Sequence, residues 1–198
     1  MLYHRVRAVE RVFRMLEKEN RRFQRLSGLA CPPGCGLCCT KPGIEATPLE
    51  FLPLAYRLYT QDLAEVVYDS LRDPVPDLCI FYQPDSTDGA LGRCGQYPLR
   101  GLICRLFRVS ATVNRRGILE PAACKVIKAR FADCFEAKAR DIREGRLRPP
   151  VGHLYHLRMA AIDSALAVEF LPINQAIKRS LAIVLGYYSY RRKRKRAG

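Results

Sequence analysis

The stretch CPPGCGLCC, residues 31–39, places four of the chain's nine cysteines within nine positions, and the use made of those thiols decides what fold the rest can adopt. Disulfides, redox or nucleophilic chemistry, and metal ligation are the three uses open to them. Compartment separates the first from the others. Residues 1–14, MLYHRVRAVERVFR, are charged throughout and lack the apolar segment and small-residue cleavage site of a secretory signal. The longest apolar run, LAIVLGYY at 181–188, is far shorter than the roughly 18 residues of a membrane span. Both features point to the cytoplasm and to a chain with no transmembrane segment. Thiols stay reduced there, and an odd number of cysteines weighs further against a disulfide framework.

Ligands two to four residues apart let a tight turn bring sulfurs to one ion. Cys31, Cys35 and Cys38 meet that requirement, with Pro32 and Pro33 stiffening the turn and Gly34 and Gly36 permitting its dihedrals. Glycine also leaves backbone N–H groups free to face thiolate charge. Cys38 and Cys39 are adjacent, and neighbouring side chains tend to diverge, so Cys39 is expected to reach a second site. Cys79, Cys94, Cys104 and Cys124 supply four more thiols, three of them beside turns or at an expected helix start. Eight thiols suit two four-thiolate centres, because loop closure grows costly only slowly with length. Cys134 is left out: it falls on the apolar stripe of an expected helix, where a free cysteine usually serves as a small core residue.

The opening cluster, followed by CGQYPLRGLICRLF at 94–107 and AACKVIKARF at 122–131, resembles the YkgJ-type cysteine-cluster family, described as chelating zinc or iron and in some members as iron–sulfur proteins. The family pattern is a C-x-x-C-x-x-C-C opening, an isolated Cys, a C-x-x-Y-x-x-R-P-x-x-C-R-x-F segment and a later Cys at a helix start. Cys94, Tyr97, Arg100, Cys104, Arg105 and Phe107 match the middle segment in order. The opening spacing here is three then two, which makes Cys31 the least secure ligand. Gly101 replaces the usual Pro, so a looser turn is expected there. The resemblance covers about residues 31–130 and implies metal at Cys31, Cys35, Cys38, Cys39, Cys79, Cys94, Cys104 and Cys124.

Arg100 and Arg105 have a rationale of their own as residues beside the cofactor. A four-thiolate centre around Zn²⁺ or a [4Fe–4S]²⁺ cluster carries a net charge of −2, and a nearby guanidinium offsets it while donating hydrogen bonds to sulfur. Cysteine ligation does not separate zinc from an iron–sulfur cluster; the reading favours iron–sulfur, with zinc next. The three-then-two spacing also occurs in radical enzymes that bind S-adenosylmethionine at an open cluster iron. Those enzymes need a β/α barrel, and this chain lacks alternating strand and helix patterns.

Composition fits a globular chain: 48% of the 198 residues are hydrophobic and 27% charged. The net charge of +15 is uneven, with +5 in residues 1–26, +6 in RRKRKR at 191–196 and only +4 between them. Leu2, Val6, Val9, Phe13, Leu16, Asn20 and Phe23 alternate by four and three, which predicts a helix over 2–25 that caps the core; a coiled-coil seam with Asn20 setting register is the alternative. Thr47, Pro48 and Glu50 start a helix over 48–60. QDLAEVVYDSLRD continues as another, ending before Pro74. LCIFY and RVSATV read as short strands, STDGALG and NRRG as turns, and a short helix begins at Pro98. Residues 122–144 form one helix whose face includes Cys124, Ile127, Phe131 and Cys134, and helices over 152–169 and 172–187 follow.

The expected architecture is mainly α with a small β-hairpin element, a single compact domain stapled by Cys-ligated metal centres. Its parts are an amphipathic basic helix (1–26), a cysteine-cluster metal-binding core (27–145), C-terminal helices (146–188) and a basic disordered tail (189–198). His153 and His156 lie three apart on a helix, yet no Cys or acid pair accompanies them in sequence, so they read as ordinary helix residues; Tyr97 reads as a core aromatic. No Walker-type or dinucleotide glycine loop occurs. The basic tail would contact nucleic acid, another acidic partner, lipid or nothing. The functional expectation is therefore a cytosolic cysteine-cluster protein binding one or two metal centres, either an iron–sulfur cluster or zinc. The alternatives are a methyl-transfer enzyme, since flagellin lysine methylases carry a similar cysteine module, and a zinc-stabilised nucleic-acid adaptor.

Overall fold

The four-three alternation of the N-terminal segment becomes α1 (Leu2–Ser27), whose buried face carries Leu2, Val6, Val9, Val12, Phe13, Leu16, Asn20 and Phe23. Gly28 ends it with a left-handed φ of 74°, its N–H bonding Gln24 O. The computed structural model describes residues 1–32, 35–71, 77–85 and 92–196, with backbone alone for 191–196. α1 lies along α2 (Pro48–Thr60) and also meets α4 (Leu102–Leu106) and α7 (Gly152–Ala160). Its apolar face is therefore spent within the chain, as the capping reading expected. Asn20 is buried, and its Nδ2 has no hydrogen-bond partner.

Two apolar cores result, and α1 contributes to both. The larger gathers Val9, Leu16, Leu49, Leu52, Leu102 and Leu181, drawn from α1, α2, α4 and α9 (Ile173–Arg196). The smaller gathers Phe23, Leu29, Val109, Ile127, Phe135 and Ile142, drawn from the end of α1, β4 (Val109–Val113), α5 (Lys125–Arg130) and α6 (Ala132–Arg143). The remaining helices are α3 (Ala64–Ser70) and α8 (Ser164–Val168). The described strands form three antiparallel pairs: β1 (Glu45–Ala46) with β6 (Leu171–Pro172), β2 (Tyr82–Pro84) with β3 (Gly92–Cys94), and β4 with β5 (Leu119–Ala123). The chain is thus predominantly helical with small strand pairs, as expected. No helix among the described residues is long and apolar enough to cross a membrane.

Several boundaries differ from expectation. The helix expected over 122–144 is two helices, preceded by a strand. Asn114 accepts from the backbone N–H groups of Arg116 and Ile118 at 2.9 and 3.0 Å, and Gly117 takes a φ of 77°. That turn folds residues 119–123 back onto β4 before a helix can start. The helix expected over 152–169 breaks because Asp163 caps a new one, its Oδ1 accepting from Leu166 N at 3.1 Å. LCIFY is mostly turn, and only Tyr82 of it enters β2. α9 continues nine residues past the expected end at 187, so the backbone of 189–196 is helical where a disordered tail was expected. Pro74 and all of STDGALG except Gly92 lie outside the described residues.

Candidate metal centre

Backbone pairing gathers cysteines that are far apart in sequence. Cys79 N donates to Cys39 O at 3.1 Å, and Tyr82 N to Cys79 O at 2.8 Å, turning the chain into β2. Tyr82 stands opposite Cys94 in the β2–β3 pair. Cys35 forms a parallel bridge with Gly92, and Cys39 N closes a 2.7 Å turn onto Gly36 O. At Gly36 a Cβ would fall 2.4 Å from Gly92 O, so only glycine permits this approach. Pro33 and Gly34, expected to shape the same turn, lie outside the described residues.

Asn174, near the start of α9, clamps the Cys79 segment from the other side. Its Nδ2 donates to Leu78 O at 2.7 Å and its Oδ1 accepts from Ile80 N at 3.0 Å. Glu50 does comparable work for Cys104. One of its oxygens closes the α2 capping box with Thr47, and the other accepts from Ile103 N at 2.8 Å, fixing the start of α4. Burial raises the pKa of Glu50, against the pull of these donors. A Cβ on Gly101 would lie 2.6 Å from Glu50 Oε2. The turn that lacks the usual proline is therefore tightly packed rather than loose.

All nine cysteines are free thiols, and eight of them fall into two groups. In the first, the Cys39 thiol interacts with those of Cys38, Cys79 and Cys94; these contacts and burial hold its proton and raise its pKa. The Cys39 hydrogen bond conversely pulls Cys38 and Cys94 down to about 7, with Arg100 contributing at both, and lowers Cys79. Cys104 lies beside this group, its pKa raised by burial and then by Glu50 and the neighbouring thiols. In the second group, Cys31 meets Cys35 and lies near Cys124. Its pKa is pushed up to about 12 by burial first and these neighbours next, while Arg108 opposes the rise. Cys124 Sγ accepts from Ile127 N at 3.5 Å.

This grouping reverses two expectations. Cys38 and Cys39 were to diverge, but both belong to the first group, because the 36–39 turn carries them together toward Cys79 and Cys94. Cys31 and Cys35 are the residues that leave for other neighbours, so the three-then-two spacing does not gather Cys31, Cys35 and Cys38. Cys134 stands apart as expected, though half-buried: the interior face of α6 is Phe135, Ala139 and Ile142, one position away, and the Cys134 thiol bonds Phe131 O at 3.6 Å.

The arginines are held by an acid that sequence reasoning passed over. Glu17 Oε1 accepts from Arg100 Nη2 at 2.6 Å and from Arg105 Nη1 at 2.7 Å, and its other oxygen lies 3.6 Å from Arg108. Arg105 is buried and also donates to Arg100 O and Pro98 O, which pins the 97–105 segment. Burial, then Arg100 beside it, pushes its pKa down to about 10. Arg100 stacks over the Tyr97 ring at 3.9 Å. Of the two arginines expected beside the thiols, Arg100 acts electrostatically on Cys38 and Cys94, whereas Arg105 makes structural bonds. Tyr97 is 45% exposed, so it is a platform for arginine rather than a core residue.

A cavity of about 830 Å³ is lined by all eight of these cysteines and not by Cys134 or any histidine. Its other lining residues include Phe51, Phe81, Ile103 and Phe107, and five cations, Lys41, Arg100, Arg108, Lys125 and Lys128, with no Asp or Glu. Such a soft, anionic-on-ionisation donor set fits zinc or an iron–sulfur cluster, not a hard oxygen-seeking cation. Among the described residues no three or more His, Cys, Asp or Glu are already set to hold an ion. The fold converges the sulfurs, and side-chain rotation has to complete a centre. His153 is exposed on α7, and His156 packs near the Phe170 ring at 6.0 Å.

No curated protein and no solved structure matches the chain. A family model matches residues 30–139, more than half of its length, and those bounds enclose all nine cysteines. The chain therefore belongs to the CxxCxxCC family, described as a "putative zinc- or iron-chelating domain".

Proposed function

We propose that the protein is a cytoplasmic metal-binding protein that holds one or two thiolate-ligated centres, iron–sulfur in preference to zinc, on Cys31, Cys35, Cys38, Cys39, Cys79, Cys94, Cys104 and Cys124. The observation that carries this reading is that one cavity is lined by these eight cysteines and omits the ninth. Arg100, beside Cys38 and Cys94, offsets thiolate charge, and Glu17 holds that guanidinium in place. A bound cluster would supply one-electron chemistry, and zinc would supply a structural staple on the order of 10 kcal/mol.

Anaerobic purification with elemental analysis and an absorption spectrum tests the reading. Iron with acid-labile sulfide and a visible chromophore, or zinc without one, is the expected outcome. Protein that takes up neither metal overturns it. Cys94→Ser should reduce bound metal and Cys134→Ser should not; equal metal content in the two variants would remove the ligand assignment.

A further inference from the structure

The eight cysteines line one cavity, yet the apolar structure around them is divided. Cys39 and Cys79 lie within the larger core, and Cys38, Cys94 and Cys104 pack against it. Cys31 and Cys124 pack against the smaller core instead, between Leu119, Ala123 and Phe131. Cys35 belongs with the latter pair through its contact with Cys31. The sulfurs thus divide five and three, along the same line as the two cores.

From this division we propose that Cys31, Cys35 and Cys124 form a centre of their own, one protein ligand short, whose remaining coordination position takes an anionic ligand from the shared cavity. The inference rests on the metal-binding reading above. Four sulfurs satisfy a tetrahedral ion, and the five-sulfur group can supply them within the larger core. Three sulfurs cannot, and a three-ligand site keeps a position for water or an exogenous group.

The charge around the smaller group favours an anion there. Three thiolates on a divalent ion leave −1, less than the −2 of a four-thiolate centre. Lys125 and Lys128 follow Cys124 on α5 and line the cavity with Lys41; none of these three lysines has an ion-pair partner among the described residues. Arg100 and Arg108, by contrast, are already engaged by Glu17. The missing lining carboxylates also disfavour a cationic ligand such as a sulfonium. A small carboxylate or thiolate donor is the class of ligand that this lining accepts.

The test uses the full chain loaded anaerobically with Co²⁺, whose d–d and thiolate charge-transfer bands report ligands directly, with circular dichroism to establish that each variant is folded. Wild type should bind two equivalents. Cys124→Ser and Cys94→Ser should each lose about one, and the double variant about two. Mercaptoacetate should shift the cobalt bands of wild type and of Cys94→Ser, but not those of Cys124→Ser. Lys125→Gln/Lys128→Gln, which leaves every sulfur in place, should weaken that response severalfold. Wild type that binds no cobalt, zinc or iron defeats the underlying reading. Wild type that binds a single equivalent, variants that lose the same equivalent, or a mercaptoacetate response surviving in Cys124→Ser overturns the second centre alone.

Discussion

Glu17 and Arg100 are 83 positions apart, and a 2.6 Å hydrogen bond joins the Glu17 carboxylate to the Arg100 guanidinium. The contact ties α1, which lies outside the family match, to the segment between Cys94 and Cys104. Arg105 shares the same carboxylate oxygen, so one acid balances two buried guanidiniums, with Arg108 at its edge. The metal-binding half of the chain is thus electrostatically incomplete without its N-terminal helix.

Glu17→Gln should therefore destabilise the fold strongly. Two guanidiniums about 6% exposed would keep their charge and lose their only nearby carboxylate. Removing one partner of a buried pair costs about 3 kcal/mol at the low end. The urea midpoint should fall accordingly, whereas Arg7→Gln, which breaks an exposed pair with Glu10, should change it by less than about 0.5 kcal/mol.

Gly36→Ala should loosen the thiol cluster. The added methyl would meet the carbonyl of Gly92, which is backbone and cannot swing aside. A loss of at least 1–3 kcal/mol, the range for overpacking, is expected with lower metal content. Gly186→Ala supplies the contrast: nothing lies within 4 Å of its new methyl, it is inside α9, and it should raise stability by about 0.5–1 kcal/mol. Comparing the two midpoints checks both predictions.

What was legible in the sequence was local. The four-three rhythm from Leu2 to Phe23 and the Thr47–Pro48–Glu50 start gave α1 and α2 within two residues. The set of eight cysteines was legible from spacing and resemblance, and the cavity singles out the same eight. Their grouping was not, because it depends on backbone pairing between Cys39 and Cys79 and between Tyr82 and Cys94, contacts that carry no periodicity. Glu17 and Asn174 escaped for a related reason. A single polar residue at the edge of an apolar helix face looks solvated until the partner arriving from far along the chain is known. The strand at 119–123 was hidden inside a helical pattern and was decided by the Asn114 turn before it.

Burial of His156 near Phe170 lowers its pKa from the ordinary 6.5, because the charged imidazolium is the form that burial disfavours. The unfolded chain then takes up a proton at a higher pH than the folded one. Stability associated with the neutral ring is fully present above about pH 6.5 and is lost progressively as pH falls through that value toward the lower folded pKa. The difference in urea midpoint between wild type and His156→Gln should accordingly change across pH 7.5 to 5, with wild type losing ground as acid is added. An identical difference at both ends would show that His156 does not titrate differently on folding.

Asn174 reaches across the peptides that flank Cys79, bonding Leu78 O and Ile80 N. It is 2% exposed, so neither backbone group has water to replace it. Asn174→Ala should leave a donor and an acceptor unsatisfied, at about 1–3 kcal/mol each. It should also free the segment that presents the Cys79 thiol to Cys39. Metal affinity should therefore fall together with stability, although no sulfur has been removed. A variant such as Leu52→Ala offers the comparison, because it opens a cavity in the larger core and is expected to lose about 2–5 kcal/mol. If Asn174 acts through Cys79, chelator competition should show a larger loss of affinity in Asn174→Ala than in a core variant of equal or lower stability. Equal affinities at matched stability would reduce Asn174 to an ordinary packing residue.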